Sequence, residues 1–350
     1  MMPSRCGPYH AADTTPPDPV TLSREPASHS PSGAHIASTL QCMGNIPASA
    51  PEAPAQPKMP ANYYNFAVEF LKANRQCTNM YWADRDAIPA LIRSEMLHQP
   101  GLTITHHPDP GAFVDFVNER CRTGANLRQQ CLVELDAKEG HCVGVDLRID
   151  AGEPTVIVIE SSNMNAKGPS FMLIRLLTAF ESRLPGIAPN GLDRHLMFFE
   201  TQAQQSPSDC AMFSLSACKA MFKEAAAFEA LHKRLRAGEF REMLAKHYVA
   251  CDEADLLLPS SLMKHTQSST RLADHARRRM KDDPMQARRL GQSIRRQKGL
   301  TFARDQRTYS VSIEMARIKM AGRALTPPAE DKTLLAPPVR GDLTSSTESR

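Results

Sequence analysis

No run of about 18 apolar residues occurs anywhere in the 350-residue chain, so no membrane-spanning helix is expected. The apolar centre of a cleaved secretory signal is missing too, because residues 1–30 place Pro, Ser, Asp and His where it would lie. The expectation is a soluble protein made in a cytosol and, if exported, exported without a cleaved leader. Cysteine is present but unorganised. Nine cysteines, at 6, 42, 77, 121, 131, 142, 210, 218 and 251, are odd in number, irregular in spacing and without a C-x-x-C pair. That excludes a disulfide framework and a structural zinc site, so no metal is expected, and most thiols should be small buried apolar groups. The basic segment lacks interleaved aromatic residues and any groove-reading motif, which speaks against a nucleic-acid partner.

A hydrophobic fraction of 41% is enough for a sizeable core, in one large domain or two ordinary ones. The net charge of +4 hides an asymmetry. Lys264 to Arg323 carries 16 Lys/Arg against 5 Asp/Glu, which leaves the remainder acidic. A basic C-terminal third on an acidic protein implies an anionic ligand.

Residues 1–60 hold 12 of the 27 prolines and few large apolar side chains. Such a segment cannot bury enough surface to offset its ordering entropy and is expected to be disordered, as is the tail from about 326. Helical spacing begins at Tyr63 to Asn74 and continues over Ile88 to Leu97, with Pro89 suited to a first turn, and over Gly111 to Arg122. The period then changes. Leu132 to Leu135, His141 to Ile149, Thr155 to Ile159 and His195 to Glu200 read as strands, with a turn at Asp150 to Pro154. Ser170 to Arg183 reads as helix. A long helix is expected from Cys210 to about Arg236, and basic helices over Ser268 to Gln297. This order defines an α+β fold with a helical extension.

Cys210 follows a strand and the loop Gln204-Gln205-Ser206-Pro207-Ser208-Asp209 and opens a helix, where the dipole stabilises a thiolate. A nucleophile needs a base, and the base an orienting group. His141 begins one strand and Glu160 ends the next, with a turn between them that would bring both to one sheet edge. Glu160 closes the apolar run Thr155-Val156-Ile157-Val158-Ile159, so its carboxylate should have a partner. Taken singly, each of these residues also has a purely structural explanation; the ordered combination is far more specific.

The segments His141-Cys142-Val143-Gly144-Val145-Asp146, Val156-Ile157-Val158-Ile159-Glu160-Ser161 and Gln204 through Leu215 resemble the three catalytic blocks of the YopJ family. Leu258 through Ser268 is similar to a fourth block and Tyr309-Ser310-Val311-Ser312-Ile313-Glu314, more weakly, to a fifth; together they cover about residues 60–320 in the family's order. The resemblance implies type III secreted effectors, delivered by plant and animal pathogens into host cells. It implies a ubiquitin-like-protease-like core of the papain-like cysteine protease superfamily with a helical basic regulatory region. It further implies acetyl transfer from acetyl-CoA through Cys210 to Lys, Ser or Thr of host proteins, with His141 as base and Glu160 orienting it. The backbone N–H of Cys210 and the amide of Gln204, or alternatively Gln205, are the candidate oxyanion donors. The same triad with water as acceptor would make a ubiquitin-like-protein protease, which has no need of a polyphosphate site.

Activation by inositol hexakisphosphate, also implied, calls for converging cations. Lys264, His265, Arg271, Arg288, Arg289, Arg295, Arg296, Lys298 and Arg304 lie in the right segment for that ligand and for CoA, and Lys264 matches a position of self-acetylation. The implied domains are a secretion segment at 1–58, a catalytic core with N-terminal helices at 59–258, the regulatory region at 259–325 and a disordered tail at 326–350. Met43-Gly44-Asn45-Ile46-Pro47-Ala48-Ser49 resembles the start of N-myristoylated members, with Ala48 where the pattern wants Ser or Thr. Were translation to begin at Met43, Gly44 would be available for lipidation and membrane association.

Overall fold

A computed structural model describes residues 59–72, 78–136, 140–184, 189–240, 248–279, 284–285, 288, 290–292, 301–304 and 307–326. The expected disordered ends, Gly44, Arg289, Arg295, Arg296 and Lys298 lie outside the described residues.

Two helices come first, α1 (Tyr63–Lys72) and α2 (Thr78–His98). They are followed by β1 (Ile104–His107), α3 (Pro110–Arg122), β2 (Leu127–Glu134), β3 (Cys142–Asp150), β4 (Glu153–Glu160), α4 (Lys167–Arg183) and β5 (Leu196–Glu200). Next are α5 (Cys210–Lys223), α6 (Ala225–Ala237), β6 (Tyr248–Val249), α7 (Cys251–Leu257) and α8 (Ser269–Arg279). A hairpin of β7 (Thr301–Arg304) and β8 (Arg307–Ser310) precedes the last helix, α9 (Ser312–Leu325). Strands β1 to β6 form one six-stranded sheet in sequence order. Its middle pairs, β2 with β3 and β3 with β4, are antiparallel; its outer pairs are parallel.

Alternation along the strands divides the core into two layers. On β3, Val143, Val145, Leu147 and Ile149 face α3 and α4. On β4, Ile157 and Ile159 turn the other way, toward α5 and the helices around it. Gly144 lets α5 lie directly on β3: a Cβ there would come within 2.9 Å of the Ser214 carbonyl. The second layer also holds α1, α2 and α9, so the C-terminal helix is part of the same core as the N-terminal ones.

Several expectations need correction. Pro89 sits inside α2, not in its first turn, because the helix begins ten residues before Ile88 at Thr78. That early stretch carries Asp84 and Arg85 among aromatic residues and shows no clean apolar stripe. The long helix from Cys210 breaks at Glu224 (φ −95°, ψ 36°) into α5 and α6. Of the basic helices, α8 is described, and its charge is largely neutralised within the protein. Arg271 is bidentate to Asp255 (2.8 and 2.7 Å), Arg278 pairs with Asp255 (2.7 Å) and Asp252, and Arg279 donates to the Leu256 and Leu258 carbonyls (3.1 and 2.6 Å).

Candidate active site

The register Gly144↔Ile159 brings the start of β3 and the end of β4 to one edge of the sheet. Parallel pairing of Glu160 with Glu200 brings the end of β5, and the loop leading to Cys210, to that same edge. His141, Glu160 and Cys210 therefore meet through strand direction alone.

The imidazole and carboxylate are in direct contact, His141 Nε2 lying 2.8 Å from Glu160 Oε2. Glu160 is fully buried, and its other oxygen accepts from the Ser162 backbone N–H at 2.7 Å. With Nε2 committed to the carboxylate, Nδ1 is the nitrogen left to serve the Cys210 sulfur, which acts electrostatically on the imidazole. Gly168, near the start of α4, covers the ring: a Cβ there would lie 2.9 Å from His141 Cγ. The ring is thus wedged between a carboxylate and a backbone that tolerates no side chain.

Cys210 is the first residue of α5 and its Sγ lies 3.8 Å from the Gly140 carbonyl. Its thiol is lowered to about 6, first by a hydrogen bond from Cys142 and then, against burial, by His141. Burial alone would lower His141; the charges and hydrogen bonds of Glu160 and Cys210 outweigh it and raise the imidazole to about 10. Cys142 is driven well above the usual thiol range by burial and by its neighbour's charge. We place the thiolate on Cys210, because it alone faces both the imidazolium and the N-terminus of a helix. The two groups thus favour a thiolate beside an imidazolium, the cysteine held low and the histidine held high by one another. Alkylation of Cys210 by iodoacetamide should accordingly rise with a midpoint near pH 6 rather than the ordinary value of about 8.5. His141→Ala should move that midpoint upward. A wild-type midpoint above pH 8 would remove the ion pair.

The amide expected at the oxyanion already has hydrogen-bond partners within the protein. Gln204 is buried, donates through Nε2 to the Ser206 carbonyl (2.6 Å) and accepts from Ser161 Oγ just after β4 (2.8 Å), which satisfies its amide inside the protein. Gln205 is exposed, its side chain reaching the Gln202 carbonyl at 3.4 Å.

The basic candidates fall into three groups. Lys264 and His265 line a cavity of about 120 Å³ with Ser161, Thr201, Lys219 and Lys223. His265 is held near 4 by burial and by the charges of Lys264 and Lys219, so it is neutral there, and its Nδ1 lies 2.8 Å from Ser312 Oγ. Arg271 is buried and committed to Asp255 and to the Thr201 carbonyl (2.9 Å), which makes it a brace between α7, α8 and the loop after β5. Arg288 is exposed and Arg304 ends β7.

Sequence reasoning missed Lys219 and Lys223, whose i, i+4 spacing on the helix opened by Cys210 was the available signal. It missed Cys142 and Gly168 as well. Cys142 lies within the first of the family-like blocks and Gly168 seven residues beyond the second, but only folding shows what they touch.

A buried cysteine at a helix start, an imidazole on its flank and a carboxylate behind the imidazole form the arrangement of enzymes that work through a cysteine acyl intermediate. The profile of the YopJ serine/threonine acetyltransferases matches residues 62–323, and the chain belongs to this family. A serine/threonine-protein acetyltransferase of Sinorhizobium fredii is 32% identical over 149 residues, 42% of this chain and 53% of that protein. YopJ of Yersinia pestis is 29% identical over 39% of this chain and 44% of its own length. The chain thus spans about half the length of these curated relatives. Two solved structures share the fold. An AvrA variant with IP6 and CoA superposes with a TM-score of 0.63 at 21% identity, over 75% of this chain and 98% of its own. HopZ1a in complex with IP6 gives 0.59 at 20% identity, over 75% and 90%. The mixed α/β fold of the chain is therefore the fold of these two structures.

Proposed function

We propose that the protein is an effector acetyltransferase that carries an acetyl group from acetyl-CoA on Cys210 and passes it to hydroxyl or amine side chains of host proteins. The observation that carries this reading is the buried Cys210–His141–Glu160 set, whose His141–Glu160 contact is 2.8 Å. The Cys210 thiolate attacks the thioester carbonyl, the C–S bond to CoA breaks, and CoA leaves as a thiolate that His141 protonates. His141, now neutral, takes the proton from the acceptor as it attacks the acetyl-cysteine, and Glu160 holds the imidazole in the required tautomer. The Cys210 backbone N–H and the Gln204 amide are the proposed oxyanion donors, and Gln204 also braces the loop that leads to Cys210. Family membership and the names of the relatives support the reaction.

Inositol hexakisphosphate is the proposed activator and acetyl-CoA the acyl donor; the likeness to structures solved with IP6 and CoA supports both. Lys264, Lys219 and Lys223 around the small cavity, together with Arg288, Arg289, Arg295, Arg296, Lys298 and Arg304, are the proposed anion-binding groups. Lys264 is also the proposed self-acetylation position. Arg271 acts by holding α8 in place. Residues 1–58 serve type III delivery, residues 259–325 form the regulatory region, and Gly44 offers membrane attachment only if translation starts at Met43.

Adding inositol hexakisphosphate should raise the melting temperature and switch on acetyl transfer. A ligand at a hundred times its Kd adds about 2.7 kcal/mol to the form it binds. Arg288→Glu with Arg289→Glu should blunt both effects, followed by calorimetry and transfer in one titration. Full activity without any polyphosphate, unchanged by these reversals, would remove the activation model.

A further inference from the structure

The residue before the nucleophile does not do what its position allows. Asp209 is the N-cap of α5, where an aspartate ordinarily accepts from the N–H groups of the first turn, yet its side chain makes no such bond. The carboxylate is turned away and held by two residues distant in sequence and one nearby. Its Oδ1 accepts from Arg317 of α9, and its Oδ2 accepts from Gln267 Nε2 (2.8 Å) and from Ser206 Oγ. Arg317 is anchored in turn by Asp84 of α2, through Nε and Nη2 at 2.8 Å each, and Tyr63 donates to Asp84 at 2.7 Å.

Gln267 also grips the backbone of the same loop. Its Oε1 accepts from the N–H groups of Gln205 (2.7 Å) and Ser206 (2.9 Å), and its own N–H donates to the Ala203 carbonyl at 2.8 Å. Gln267 and Arg317 are both buried, at 1% exposure each, so these bonds are not in competition with water. Two residues of the C-terminal segment thus fix the loop between β5 and α5 and the direction in which Asp209 points.

The chemical consequence follows from charge. A carboxylate capping α5 would neutralise the positive end of the helix and stand beside Cys210, raising its thiol and opposing an oxyanion at the Cys210 N–H. We propose that Gln267 and Arg317 are positioning residues that hold the Asp209 carboxylate off the N-terminus of α5, leaving that helix end to the Cys210 sulfur and the oxyanion formed on it. This rests on Cys210 being the nucleophile, as in the function proposed above. It makes the C-terminal segment a working part of the nucleophile's surroundings and not only a ligand platform.

The test uses the full chain, two reagents and a rescue. Iodoacetamide reads the thiolate alone. p-Nitrophenyl acetate acetylates it through a tetrahedral oxyanion, forming the C–S bond as p-nitrophenolate leaves with the C–O electron pair. Gln267→Ala should move the alkylation midpoint up by about one pH unit and slow acetylation by the ester about tenfold or more at pH 7. Arg317→Gln should do so more strongly; since it also strips Asp84 of its charged partner, Gln267→Ala is the variant that keeps the question open to measurement. Adding Asp209→Ala to Gln267→Ala removes the carboxylate that would cap α5, and should return most of both losses. A merely structural bond would not be rescued by deleting a second hydrogen-bonding partner. An unmoved midpoint in Gln267→Ala, or a double variant no better than the single one, overturns the proposal. Because the ester replaces acetyl-CoA, a protein that accepts the ester but not acetyl-CoA contradicts the proposed donor and leaves the positioning role standing.

Discussion

Cys210→Ala and His141→Ala should each lower acetyl transfer by about four orders of magnitude or more, since members of such a set act as a unit. The fold should be little affected by the first. Cys210 is buried, and replacing its CH2SH group by a methyl removes one heavy atom from a packed site at a cost on the order of 1 kcal/mol. Glu160→Gln should be similarly inactive while remaining folded, because the amide can still meet the Ser162 N–H but cannot stabilise an imidazolium. Transfer rates read beside melting temperatures separate these outcomes. Activity above a few per cent in His141→Ala would require another base.

The largest effect on stability should come from Arg317→Ala. Its guanidinium is buried and lies between Asp84 and Asp209, both also buried. Removing it strands two carboxylates away from water, and breaking a buried pair of this kind costs about 3–5 kcal/mol. Burial already raises Asp84 to about 6 despite the arginine, so removing Arg317 should push it further up and disfavour the ionised form in the folded protein. Arg317→Lys keeps a charge but loses the fork, and should fall between the two. Denaturant unfolding measures the difference; a loss under 1 kcal/mol for Arg317→Ala would show that the cluster relaxes to admit water.

The strands around the site were readable in the sequence because their signal is local. Thr155-Val156-Ile157-Val158-Ile159 is buried on both faces and lies within β4, and His195 to Glu200 overlaps β5. The convergence of His141, Glu160 and Cys210 was readable for a related reason: each sits at the end of a strand or the start of a helix, and strand direction does the rest. What escaped was non-local or masked by polarity. The first half of α2 carries Asp84, whose partner Arg317 lies 233 residues away, so the apolar stripe has a charged residue in it by design of the tertiary structure. The β7–β8 hairpin and α7 are short and polar, and α7 is held to α8 in part by Arg271, which the family resemblance and the charge of its segment suggested as a ligand group. Charge counting cannot tell an arginine facing a phosphate from one facing Asp255. Gln267 lay in a recognised block, yet nothing local shows that its amide spans the loop before Cys210.

The central claim is that the acetyl group travels on the Cys210 sulfur. Intact-mass measurement of the full chain after brief exposure to acetyl-CoA, with inositol hexakisphosphate present, tests it most directly. Wild-type protein should gain the mass of one acetyl group that hydroxylamine removes and that peptide mapping places on Cys210, and Cys210→Ala should gain none at that position. An acetyl group acquired equally by Cys210→Ala and passed on to an acceptor would contradict the account.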